Sequence, residues 1–193
     1  MCHYITGTFE SSKIGIEHIN AIGKDFGLQF VDCKNDFIHA QLDSKEHYIA
    51  KVSKYCDCGT PLGSCNKKQV KSIQRAQRSQ EAEIEKLKKK GWSAAKIERF
   101  LTDRDKNNEK RGLSSQQQYE KAMEDIQQWV NFINQLLSKT SIETFGLLLH
   151  FYSGSVENER IKISRKQVAF NDLLDKTLIE MDEDTLYLIQ KTK

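Results

Sequence analysis

The chain lacks any apolar run approaching the roughly 20 residues that a helix needs to cross a bilayer, and its opening Met1-Cys2-His3-Tyr4 lacks the basic-then-apolar pattern of a signal peptide. A cytosolic protein is expected. Also missing are a phosphate loop, a Gly-x-Ser-x-Gly elbow, a His-Glu-x-x-His helix and a dinucleotide fingerprint, so no enzyme class marked by those motifs is expected. Proline occurs once, at Pro61, and cysteine five times. An odd cysteine count in a reducing compartment reads as thiols, metal ligands or nucleophiles rather than as a disulfide framework. With 193 residues the chain can close a core without covalent staples, so stability need not explain the cysteines. Hydrophobic residues make up 38% and charged residues 30%, a polar balance that calls for a long solvated element.

The pattern along the chain is β-like at both ends and helical between. Cys2 to Phe9 is rich in Tyr, Ile, Thr and Phe, and Ile14 to Phe26 follows helical spacing through Ile16, Ile19, Ile22 and Phe26 before Gly27 ends it. Leu28 to Cys33, Phe37 to Leu42 and His47 to Val52 are short β-prone runs parted by turn-like residues, which predicts β-α-β-β-β with two hairpins. Lys67 to Lys90 contains no Gly or Pro and sets Val70, Ile73, Gln77, Gln80, Ile84 and Leu87 at alternating spacings of three and four. That is a short coiled-coil seam with a polar middle, closed by Gly91. Ser93 can cap a short helix carrying Ile97, Phe100 and Leu101, followed by a polar stretch, Thr102 to Gly112, expected to be a mobile connection.

Ser114 or Ser115 then caps a third helix whose stripe, Tyr119, Met123, Ile126, Trp129 or Val130, Ile133 and Leu136 or Leu137, is expected to bury the seam. Phe145 to Tyr152 is a near-continuous apolar run that predicts a central strand. Ile161 to Ile163 and Thr185 to Ile189 look like further strands, and Val168 to Met181 fits helix or strand. The fold class predicted is α+β: a mixed sheet built from both chain ends, residues 1–65 and 141–193, with residues 66–140 inserted as a charged helical hairpin.

The segment with the most chemistry is Tyr55-Cys56-Asp57-Cys58-Gly59-Thr60-Pro61-Leu62-Gly63-Ser64-Cys65. Two cysteines one residue apart, followed by Gly, Pro and Gly, can turn both sulfurs toward one point. Zinc takes four ligands, with sulfur at about 2.3 Å, and a Gly after the second relieves crowding as the backbone folds around the ion. Cys2 and Cys65 are the natural completions, giving a candidate metal site of Cys2, Cys56, Cys58 and Cys65, with His3, His47 and His150 as nitrogen alternatives. Cys2 and His3 are adjacent, and in a regular strand they face opposite sides. The competing reading makes Cys56 and Cys58 small turn residues and Cys2 a half-buried strand residue. Cys33 reads as packing, and His150, within an apolar strand, as a hydrogen-bonded core residue.

The opening Met1-Cys2-His3-Tyr4, paired with Cys56-Asp57-Cys58-Gly59-Thr60-Pro61-Leu62-Gly63, resembles an uncharacterised bacterial protein family that combines these two motifs over the N-terminal third of the chain. The resemblance implies that Cys2, Cys56 and Cys58 act together; it implies no activity.

Charge is unevenly placed. Residues 66–112 hold fifteen Lys or Arg against seven Asp or Glu, an excess of eight positive charges within a total of +3. Such an arm suits an acidic partner, protein or nucleic acid, although a solvated helical face has the same composition. Two functions follow: a zinc-stabilised binding module, or a cysteine-dependent enzyme. The enzyme would be either an N-terminal Cys2 hydrolase or amidotransferase using its own amine as base, or a thiol-redox protein.

Overall fold

The computed structural model describes residues 2–10, 14–63, 78–79, 81–109, 115–170 and 174–191. The chain divides into two compact units, one of residues 1–66 with 125–193 and one of residues 67–124.

The first unit is a six-stranded sheet. In chain order it contains β1 (Cys2–Glu10), α1 (Ile16–Gly23), β2 (Phe30–Asp32), α2 (Asp36–His39), β3 (Glu46–Lys51), β4 (Thr144–Tyr152), β5 (Ser164–Ala169) and β6 (Thr185–Gln190). A short helix, Leu174–Ile179, links β5 to β6 and is numbered α6 after the helices of the second unit. The strand order is β2-β3-β1-β4-β6-β5. Every pairing is antiparallel except β5 with β6, the pair joined through α6 as a crossover requires. The mixed α+β sheet is thus assembled from both chain ends, with β1 and β4 at its centre, as the apolar run Phe145 to Tyr152 predicts.

Alternation along the central strands sends side chains to two cores. Ile5 and Phe9 of β1, Ile49 of β3, Phe145, Leu147 and Leu149 of β4 and Ile189 of β6 share one face with Ile19, Trp129, Phe132 and Leu136. Tyr48, Leu148, Tyr152, Leu186 and Leu188 share the other with Cys33, Ile38 and Ile161. The ring of Phe132 lies at the centre of the first core, 5.7 Å from Phe30 and 5.6 Å from Phe145. Where β1 and β4 pair, Gly7 is required by close approach: a Cβ there would strike the backbone carbonyl of Gly146.

The second unit contains α3 (residues 81–89), α4 (Ala94–Glu109) and the start of α5 (Ser115–Lys139). Gly91, at φ +76°, turns the chain after α3, and the Trp92 N–H closes back on the Leu87 carbonyl at 3.1 Å. The Ser93 hydroxyl accepts from Lys96 N–H at 3.4 Å as α4 begins. Trp92 packs against Phe100, with Lys96 Nζ 4.1 Å above the indole.

Several expectations are corrected. Phe37 to Leu42 is not a strand, because Asn35 caps α2 there, accepting Ile38 N–H at 3.1 Å, and Ile38 is buried. Ile161 to Ile163 does not pair as a strand: the Gln41 side chain takes up the Ile161 carbonyl and the Ile163 N–H, at 2.7 and 3.0 Å. Thr102 to Glu109 is no mobile connection, since α4 continues through it, tied to α3 by Arg104 and Glu83 at 2.9 Å, and Lys110 to Gly112 lie outside the described residues. From Ile126 onward the apolar stripe of α5 packs into the sheet core. Of the seam itself, Ile84 and Leu87 are half-buried, and Val70, Ile73, Gln77 and Gln80 lie outside the described residues. The ambiguous stretch from Val168 resolves into the end of β5 followed by α6.

Candidate metal centre

The site grows from an unequal sheet edge. β4 pairs with β1 from Cys2 to Phe9, whereas β3 pairs with it only from Thr6 to Glu10. On the β3 side, the backbone donors of His3 and Ile5 therefore need another partner. The Cys56–Cys58 loop supplies it. Ile5 N–H donates to Asp57 Oδ2 at 3.0 Å, and His3 N–H donates to Cys58 Sγ at 3.3 Å. The loop thus takes the place of a strand at the first turn of β1.

Asp57 anchors this arrangement. Its side chain is 4% exposed, and its second oxygen, Oδ1, meets Lys51 Nζ at 2.5 Å, with Ser53 Oγ at 3.4 Å. A buried carboxylate is tolerated because the Lys51 ammonium and the Ile5 N–H compensate its lost hydration. Asp57 also opens the short 3-10 turn Asp57–Gly59, so that both flanking cysteines leave the loop beside β1. Residue by residue, the sequence reading named the cysteines and passed over the acid between them. Its signal was present: a carboxylate flanked by two thiols, six residues after a strand-terminal lysine.

The Sγ atoms of Cys2, Cys56 and Cys58 all lie within 4.8 Å of one another. Cys2 and Cys56 are half-buried and Cys58 is exposed, so the cluster sits at the surface with one side toward solvent. Its electrostatics are asymmetric. The Cys56 thiol is held below the usual thiol range, first by the Cys58 backbone N–H and then by the thiols of Cys58 and Cys2, all directed at its sulfur. The Cys2 thiol is pushed up, chiefly because its proton is engaged by Cys56, and further by desolvation.

The other candidate ligands have different occupations. The His3 ring turns to Glu183, with Nε2 3.0 Å from Oε1, and packs on Phe151 with centroids 4.8 Å apart. His47 Nε2 pairs with Asp32 at 2.7 Å. His150 lies between two carboxylates, with Nδ1 2.5 Å from Asp184 and Nε2 3.5 Å from Glu159. Cys33 is buried beneath α2, and burial pushes its thiol up to about 11. Cys65 lies outside the described residues.

Chemically, three sulfurs at this separation suit a thiophilic cation. In a tetrahedron with metal–sulfur bonds of about 2.3 Å the sulfurs stand about 3.8 Å apart, which is reached here by small side-chain rotations. The N–H groups at Cys56 and Cys58 are the kind of outer contact that stabilises a metal-bound thiolate. Among the described residues no helix is long and apolar enough to cross a membrane. No family model matches this chain, and no curated protein or solved structure matches it either.

Proposed function

We propose that the protein is a zinc-stabilised binding module, in which Cys2, Cys56 and Cys58 hold one zinc ion and the basic arm engages an acidic partner. The convergence of three sulfurs within 4.8 Å, drawn from sequence positions 54 residues apart, carries this reading. Cys65 is the fourth ligand that the sequence offers. The ion would be structural: it would fasten the Cys56–Cys58 loop to the first turn of β1 and supply binding energy as folding energy. On the arm, Lys86, Lys89 and Lys90 are exposed, whereas Lys88 and Arg104 are held by Glu85 and Glu83. The exposed lysines would meet the acidic partner, a polyanion or an acidic protein surface.

The test is elemental analysis of protein purified without an affinity metal. About one zinc per chain, lost together with thermal stability in Cys56→Ser and Cys58→Ser, is the expected result. Stoichiometric absence of metal, with unchanged melting in both variants, would sink the zinc reading. For the arm, binding to a DNA duplex is expected to weaken steeply with salt; no binding at low ionic strength removes nucleic acid as the partner. A second reading, a thiol-redox protein, draws on the same cluster, because thiols this close can be joined by side-chain rotation. It is distinguished by metal-free protein that gains a disulfide between Cys2 and the loop under mild oxidation.

A further inference from the structure

On the sheet face that carries Tyr48 and Leu148, the side chains divide into two regions. Near the first half of β1 the face is covered by α2 and the chain leading to Ile161. Near the second half a cleft of about 650 Å³ lies on it, a size typical of small-molecule sites. Thr8, Thr144 and Leu188, from the neighbouring strands β1, β4 and β6, supply its inner surface.

The charged residues of this cleft are Glu10, Asp43, Lys45, Glu46 and Arg165, and each is engaged within the chain. The Arg165 guanidinium, on edge strand β5, forks onto both oxygens of Glu46, the first residue of β3, at 2.6 and 2.8 Å, and reaches Asp43 at 3.3 Å. This fork ties together two strands separated by β1, β4 and β6. It also offsets the repulsion of Glu10 and Glu46, which stand directly opposite each other in the β1–β3 ladder. Arg165 is therefore a strut across the sheet, not an anion receptor.

Neutral groups remain. Gln167 on β5, Gln190 on β6 and Thr144 on β4 all line the cleft, and among the described residues their side chains make no hydrogen bond. Thr144 and Gln190 are directly paired across the β4–β6 ladder, and Gln167 stands one register step away opposite Leu188. Two amides and a hydroxyl offer both donors and acceptors on adjacent strands, with the largely buried Leu188 at the floor beside them. Paired donors and acceptors around a small apolar patch match a ligand that carries hydroxyls on a carbon ring and no net charge.

We infer that this cleft is a binding site for an uncharged polyhydroxylated ligand, a carbohydrate of mono- or disaccharide size, recognised by Gln167, Gln190 and Thr144. The site is separate from the cysteine cluster and does not depend on the zinc reading.

The experiment is saturation-transfer NMR on the full chain with a panel of unmodified hexoses, pentoses and disaccharides, with inorganic phosphate binding measured in parallel. At least one neutral sugar is expected to receive saturation. In the Gln167→Ala/Gln190→Ala variant its dissociation constant should rise by about tenfold or more, the loss of two neutral hydrogen-bonding side chains. Both glutamines lie at the cleft surface, so the variant should melt with the parent protein; a variant that does not is replaced by the single variants Gln167→Ala and Gln190→Ala, each of which should weaken sugar binding several-fold. The inference is overturned if no neutral sugar binds, if the variants bind it as tightly as the parent, or if phosphate binds instead and is lost in Arg165→Met.

Discussion

Replacing Asp57 by alanine should destabilise the sheet unit more than any other exchange in the Cys56–Cys58 loop. The carboxylate is 4% exposed and Lys51 is 17% exposed, so both charges are largely out of water, and removal of one leaves the other uncompensated. Breaking such a buried pair costs about 3–5 kcal/mol. Alanine also strands the Ile5 N–H, which donates to Asp57 Oδ2 at 3.0 Å beside a side chain only 2% exposed. Asparagine keeps an acceptor for that N–H and loses only the charge, so Asp57→Asn should be milder than Asp57→Ala by about 1 kcal/mol. Lys51→Met removes the stranded ammonium, so Asp57→Ala should cost less in a Lys51→Met background than in the parent, a coupling of roughly 0.5–3 kcal/mol. The assay is urea unfolding at neutral pH. Trp129 reports the sheet unit and Trp92 the other, so a Trp92→Phe background isolates the relevant transition. A loss below about 1 kcal/mol for Asp57→Ala, or strict additivity with Lys51→Met, would refute the view that this pair anchors the loop.

Two further predictions concern the cores and the acid limb. Phe132 is fully buried among Phe26, Phe30, Trp129 and Phe145, so Phe132→Ala should cost about 3–5 kcal/mol in the same urea assay, and a cost under 2 would mean that this core collapses readily. Glu159 is held down to about 2, from the ordinary 4.5, first by the Gly154 N–H, then by the Ser153 hydroxyl and by His150. A depressed carboxylate stabilises the fold above its unfolded value and ceases to do so as pH falls. Between pH 4.5 and 2 the parent should therefore lose stability more steeply than Glu159→Gln; melting curves with identical slopes for the two proteins would contradict the hydrogen-bond network around Ser153.

How much was legible in the sequence differs by element, and the reasons are physical. Phe145 to Tyr152 announced a central strand because a strand buried on both faces must be apolar at consecutive positions, and β4 is paired on both sides. Gly91 announced the end of α3 because the turn needs positive φ, and it has +76°. Phe37 to Leu42 misled because a four-residue helix leaves too short a pattern for its period to be read, and the cap at Asn35 decides it. Ile161 to Ile163 misled because the donors and acceptors of that segment are taken by a side chain, Gln41, some 120 residues earlier. The stripe on α5 was evident, but an amphipathic helix specifies only that one face is buried, not what buries it.

The same division holds for the candidate site. Residue type and the Cys-x-Cys spacing were enough to select Cys56 and Cys58 and to suggest Cys2, since soft ligands on a glycine-rich turn have few other uses. Only the tertiary structure decides that the three sulfurs meet, because the β3 pairing reaches no further along β1 than Thr6 and leaves two donors of β1 that the loop must satisfy. Only it assigns Asp57 and Lys51, 3-dimensional neighbours whose pairing depends on burial rather than on spacing. The cleft beside Arg165 was invisible in the sequence for the same reason: its walls come from β1, β4, β5 and β6, strands that the chain visits far apart and that only the sheet order brings side by side.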